Sequence, residues 1–262
     1  MLLWILVLSL CLGFMNLDAD ILIYGDTRNH PEIHIELIRQ VQKKDFTLVF
    51  HTGDQNQKGT RQTEYDSFLE IIAPLDSEFH AVRGNHERDL KLFLANFPGP
   101  QGRSFYSFAD EDFKYIILDS NISLLPLEDQ YNWLVQELER ADLPVIIFLH
   151  HPVFSSGAHG QELGLELYLP NLFKRYNVTL VVSGHEHSLE HLVYEDVHYL
   201  VSGGGGAPLR EMNIKSPFSQ YFNMMHHYNI LRKGADSATI SSYDLKGNKF
   251  YEFEIPLVKK ER

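Results

Sequence analysis

Cysteine is almost missing: Cys11 is the only one in 262 residues. A disulfide framework is therefore excluded, and beyond the N-terminal segment no thiolate is available to bind a metal. Basic residues are scarce too, with 23 Lys and Arg against 35 Asp and Glu and a formal charge of −12. Such a chain lacks the basic footprint of non-specific nucleic-acid binding, so no nucleic-acid partner is expected. An anionic substrate has to be drawn in by local charge, such as bound cations, and not by the global field. Long hydrophobic runs are absent as well. The longest covers residues 2–17, interrupted by Ser9, Gly13 and Asn16, and falls short of the roughly 20 residues of a membrane span. It reads as a secretory signal peptide over residues 1–19, although the usual positive n-region is missing. Leu10 is larger than the small residue expected before a lipid-anchored cysteine at position 11. The expectation is a secreted or periplasmic protein with no stable membrane span in its mature chain. No linker rich in Pro, Gly or Ser, no repeat and no low-complexity tract divides the remainder. Residues 20–262 are therefore expected to form one domain.

What is present is a well-supplied core, 44% hydrophobic and 12% aromatic. Short β-rich runs at residues 21–24, 47–50, 79–82, 145–149 and 180–182 alternate with helical spacing at 32–42, 63–72, 127–138 and 163–176. That alternation predicts βαβ units in a mainly parallel sheet. The last third changes character. Runs at 192–194, 197–201, 227–231, 238–243 and 250–255, with a hairpin at 104–108 and 113–118, predict a second, more antiparallel sheet. An α/β fold of two facing sheets with helices outside buries such apolar strands on both sides.

Each of the five early strands ends at a polar motif. In order they are Gly25-Asp26-Thr27-Arg28, Gly53-Asp54, Gly84-Asn85-His86-Glu87, His150-His151-Pro152 and Gly184-His185-Glu186-His187. A lone Gly-Asp is usually a turn. Five motifs at the carboxyl ends of successive parallel strands converge on one sheet edge, where open α/β folds bind ligands. Asp26 and Asp54 offer carboxylates, Asn85 a carbonyl oxygen, and His150, His185 and His187 imidazole nitrogens. Mixed N/O ligation without thiolate suits Zn, Mn, Fe or Ni and disfavours a Ca or Mg cage. His185 and His187, two apart on an extended segment, are expected on one face.

The ordered set resembles the calcineurin-like metallophosphoesterase family, which includes purple acid phosphatases, over residues 21–206. The resemblance implies a four-layer αββα sandwich of two facing mixed β-sheets flanked by helices. It implies two divalent or trivalent transition-metal ions, Fe, Mn or Zn, bridged by Asp54. Asn85, His150 and His185 would complete the second metal position, and Asp26 and His187 the first. Two such metals, about 3.5–4 Å apart, acidify a shared water for in-line attack on phosphorus. His86 would be the acid beside the leaving group. His159, in Ser155-Ser156-Gly157-Ala158-His159-Gly160, resembles a substrate contact of purple acid phosphatases. A small-molecule phosphate ester is the expected substrate, with monoesters favoured. A phosphodiesterase acting on cyclic nucleotides or phospholipid-derived esters is the alternative, and a non-catalytic scaffold is the rival from another class.

One departure stands out. Many members carry Asp-x-His in the first motif, where this chain has Arg28; purple acid phosphatases use a tyrosine where it has Gln57. Guanidinium stays protonated and cannot ligate. Either water fills the gap, Gln55 or Asn56 reaches in, or the first metal binds weakly. Arg28 is expected to contact a phosphate oxygen. His51 reads as a core residue, Glu87 as a brace, and Arg210 as a surface residue.

Overall fold

A computed structural model describes residues 20–160, 163–176 and 178–257. The expected signal segment, residues 1–19, lies outside them. Along the chain, β1 (Asp20–Tyr24), α1 (Pro31–Val41), β2 (Phe46–His51), α2 (Gln62–Ile72), β3 (Glu78–Ala81) and α3 (Leu90–Asn96) come first. The hairpin β4 (Tyr106–Ala109) and β5 (Lys114–Ile117) leads to α4 (Asp129–Glu139), β6 (Val145–Phe148), α5 (Leu163–Arg175) and β7 (Val178–Ser183). Six strands close the chain: β8 (Leu189–Tyr194), β9 (Val197–Ser202), β10 (Ser219–Asn223), β11 (His227–Lys233), β12 (Ser237–Asp244) and β13 (Lys249–Pro256).

Two mixed sheets result, ordered β13-β12-β11-β1-β2-β3 and β10-β8-β9-β7-β6-β5-β4. The division by sequence expected above is corrected here. The last third does not form a sheet of its own: β11 pairs antiparallel with β1, while β8, β9 and β10 extend the sheet of β6 and β7. Strand propensity does not encode partner choice, and these strands are apolar on whichever face they meet.

Period-two alternation assigns the layers. Ile21, Ile23, Leu48 and Phe50 of one sheet pack against Tyr115, Ile117, Ile146 and Phe148 of the other. Phe50 and Phe148 stack across that interface at 3.9 Å. The intervening residues Leu22, Tyr24 and Val49 face α1 and α2, while Ile116, Ile147 and Val181 face α4 and α5. Each buried aliphatic or aromatic side chain contributes roughly 1.5–3 kcal/mol, so both faces of both sheets are held. The αββα order follows. Helix α1 begins with Pro31 in its first turn, where a missing N–H costs nothing. Helix α3, unforeseen from sequence, is capped by Asp89 accepting from the N–H groups of Lys91 and Leu92. Among the described residues no helix is long and apolar enough to cross a membrane.

Strands β1, β2 and β3 run parallel, as do β5, β6 and β7. Their carboxyl ends therefore deliver all five motifs to one edge.

Candidate metal centre

Sharp turns after the strands aim the side chains. Asp26, Asp54 and His185 all take positive φ, at 56°, 57° and 68°. Each such residue costs on the order of 1–3 kcal/mol, and such strain clusters at functional sites. His185 is thus not extended, as its spacing from His187 suggests. The left-handed turn sends the two rings to different partners. Backbone bonds hold the turns, with Asp26 N–H donating to Gly53 O at 2.9 Å and Thr27 N–H to Asp54 O at 3.1 Å. Two glycines allow the close approach: a Cβ on Gly84 would lie 2.2 Å from Asp54 Oδ1, and one on Gly184 would lie 2.3 Å from Asp26 Oδ2.

Asp54, buried at the centre, presents one oxygen to each side. Toward Oδ1, His150 Nε2 lies at 3.3 Å. Asn85 Oδ1 stands 3.0 Å from His150 Nε2 and 3.1 Å from His185 Nδ1, and the two ring nitrogens are 3.3 Å apart. His150 Nδ1 donates to Thr52 O at 2.9 Å, which leaves Nε2 as a lone pair facing the cluster. Asn85 Oδ1 and His150 Nε2 thus face each other with no proton between them, and His185 Nδ1, in its lone-pair tautomer, joins them as a third acceptor. Ligands about 2.0–2.1 Å from a tetrahedral ion are themselves separated by about 3.3 Å, so this donor set fits a transition metal. Burial holds the rings in the neutral, ligating form. It pushes His185 down to about 2, with His150 adding to the effect, and lowers His150 as well.

Toward Oδ2 the chemistry differs. Arg28 Nε donates to Asp54 Oδ2 at 3.1 Å, and its Nη2 lies 3.4 Å from His187 Nε2. His187 Nδ1 donates to Pro208 O at 2.7 Å, so its Nε2 lone pair faces the guanidinium. Asp26 Oδ1 is 3.6 Å from His187 Nε2. Both Asp26 oxygens accept from His185 N–H, at 3.1 and 3.0 Å. Burial and the Asp54 charge raise Asp26 well above the usual carboxylate range, against pulls from Arg28 and Arg210. Burial and Arg210 also take His187 down to about 3. The donors of the first metal position are gathered, but a cation of the chain already stands among them.

Gln55 does not reach in. Its amide donates to Val82 O at 2.9 Å and lies 3.2 Å from His51. His51 packs in the core against Tyr24 and Phe68. Glu87 is the brace expected, accepting from the N–H groups of Asp54, Gly84 and Asn56. Glu186 plays the same part for the neighbouring loop, accepting from His159 N–H. His86 Nδ1 donates to Gln57 O at 2.6 Å, turning Nε2 to within 3.8 Å of Asp54 Oδ2. His159 stands at the rim, half-exposed, with Nδ1 2.6 Å from an Arg210 Nη. Arg210 corrects the surface reading given above: it also donates to His185 O at 3.2 Å. It follows the glycine run 203–206, whose backbone packs on Glu186, His227, Gly25 and Thr27, and that run was the available signal.

The calcineurin-like phosphoesterase family model matches residues 19–189. The chain belongs to the calcineurin-like phosphoesterase family. Purple acid phosphatase 3 of Arabidopsis thaliana is 35% identical over 232 residues, covering 71% of this chain and 63% of that protein. The probable glycerophosphodiester phosphodiesterase of Arcobacter nitrofigilis is 28% identical over 169 residues, covering 59% and 62%. A purple acid phosphatase from yellow lupin (Lupinus luteus) seeds shares the calcineurin-like fold at a TM-score of 0.81 and 20% identity, over 91% of this chain and 53% of that one. The chain spans about half the length of the first curated relatives it matches.

Proposed function

We propose that this phosphoesterase-family chain hydrolyses phosphate esters with a transition metal of the Fe, Mn or Zn class, and that monoesters are its better substrates. The observation that carries the reading is the convergence of Asp54 Oδ1, Asn85 Oδ1, His150 Nε2 and His185 Nδ1 within 3.0–3.3 Å of their neighbours. A cation held there supplies an acidified water and charge neutralisation at phosphorus. The chain's own residues supply the rest. Arg28 and Arg210 flank the donors, and guanidinium groups bind phosphoryl oxygens through charge-assisted bonds. A dianionic monoester gains more from two such cations than a monoanionic diester does. His86, with its proton fixed on Nδ1 by Gln57 O, points Nε2 into the site, where as imidazolium it protonates a departing alkoxide. His159 steadies the rim beside Arg210.

The relative from Arcobacter nitrofigilis keeps phosphodiesters as the second reading. Rates on mono-aryl and bis-aryl phosphates, measured on protein stripped of metal and then reloaded, separate the two. Faster monoester turnover that vanishes on stripping is expected; equal rates with and without metal refute the proposal. We further propose export, secreted or periplasmic, on the apolar residues 2–17. An intact N-terminus on protein recovered from cells would count against it.

A further inference from the structure

We propose that the Arg28 guanidinium itself holds the first metal position, so that the site takes one tightly bound transition-metal ion, at Asn85, His150 and His185. The inference rests on the metal-dependent reading above and sharpens its stoichiometry.

Three contacts place the group. Nε donates to Asp54 Oδ2 at 3.1 Å, Nη2 reaches His187 Nε2 at 3.4 Å, and Nη1 donates to Asn29 Oδ1 at 2.9 Å. Only 10% of the Arg28 side chain is exposed. The guanidinium therefore lies between Asp54 and His187, on the lone pairs an ion would need. Of those donors that leaves Asp26, whose oxygens share one bond from His185 N–H and keep lone pairs, but one carboxylate alone makes a weak site. Gln55, one candidate replacement, has its amide nitrogen engaged by Val82 O and His51. An ion entering here would have to displace a permanently charged group, and two cations within bonding distance of one carboxylate oxygen repel strongly in a buried site. Among the described residues, no charged side chain of the chain stands in this way at the other position. It holds a shared carboxylate oxygen and three neutral donors. Asp54 then bridges one metal and one guanidinium.

The test counts ions on the folded chain. Protein stripped by chelator, reloaded with excess Zn²⁺ or Mn²⁺ and desalted is analysed for metal. One equivalent per chain is expected, with the isolated six-line spectrum when the ion is Mn²⁺. Arg28→His is expected to take two equivalents and to show exchange coupling between Mn²⁺ ions. His187→Gln, which alters the first position and touches no donor of the second, is expected to keep the single equivalent, so the test stands even if Arg28→His misfolds. Two equivalents in the wild-type chain overturn the inference and leave the metal-dependent reading intact. A folded Arg28→His that still takes only one ion also overturns it, as does loss of the ion in His187→Gln. No bound metal at all overturns both.

Discussion

The two sides of Asp54 differ in what they ask for. On the Oδ1 side, Asn85, His150 and His185 bring neutral lone pairs to within 3.0–3.3 Å of one another. They make a donor set that fits a cation from outside the chain. On the Oδ2 side, Asp26 and His187 present equally suitable donors, yet Arg28 answers them from within the chain. The fold treats the sides alike, since each is built from loops following parallel strands. A single residue makes them chemically unequal. Motif spacing reports which donors gather, and the residue between them reports what they hold.

The largest expected effect breaks the first half of that contrast. His150→Ala removes the fully buried ring that Thr52 O orients, and with it the metal. A Lewis acid is worth several kcal/mol at the transition state, so turnover should fall on the order of 10³-fold or more. Elemental analysis should find the ion gone while circular dichroism stays near wild type. Retained metal with retained rate would show that the Oδ1 side is not the binding half.

His86→Ala probes the boundary between the two sides, because Nε2 stands 3.8 Å from Asp54 Oδ2. Metal content should be unchanged. Turnover of alkyl phosphates should drop about 10²-fold or more, while aryl phosphates, whose leaving groups depart without a proton, should lose far less. Parallel losses on both ester types would deny the ring a role as acid.

Some of this inequality was legible in the sequence. Asp26, Asp54, Asn85, His86, His150, His185 and His187 each follow a short apolar strand, and period and punctuation suffice to locate strand ends. The αββα layering was legible for the same reason, through apolar residues on both strand faces. Sheet membership was not: β11 completes the sheet of β1 across more than two hundred residues, and pairing over that distance is decided by packing. Nor were the paths of the rings of His185 and His187, because a positive φ at a histidine leaves no compositional trace. Arg28 was visible as a departure, but its engagement with Asp54 and His187 is a matter of distances. Arg210 was misjudged because its neighbours in sequence are turn residues and its neighbours in space are His159 and His185.

Arg210→Ala tests the substrate-facing rim that both sides share. The side chain holds His159 Nδ1 and the backbone oxygen of His185, not a metal-facing atom of that residue. Loss of one charge-assisted contact costs about 1.5–3 kcal/mol, so kcat/KM for monoesters should fall about 10- to 100-fold, mostly through KM. The loss should be smaller for diesters, which carry less charge. Unchanged monoester KM would remove Arg210 from the rim.

The smallest effect separates the supports beneath the two sides. Behind the Arg28 loop, Thr27 Oγ1 meets His51 Nε2 at 3.1 Å. The His51 ring lies 6.5 Å from the ring of His34, which sits against Tyr24 and Phe68. Burial takes His34 down to about 3. The unfolded chain binds that proton near pH 6.5, whereas the folded chain refuses it until far lower. Stability is therefore fully present above pH 6.5 and drains away as the pH falls toward 3. For one such histidine the loss between pH 7.5 and 5.5 is about 1.4 kcal/mol. His34→Phe, which keeps a ring against Tyr24 and Phe68, should flatten the acid limb of unfolding measured by denaturant titration. An acid limb as steep in His34→Phe as in the wild type would assign the sensitivity to other buried histidines, with His150 on the opposite side of Asp54 the first to examine.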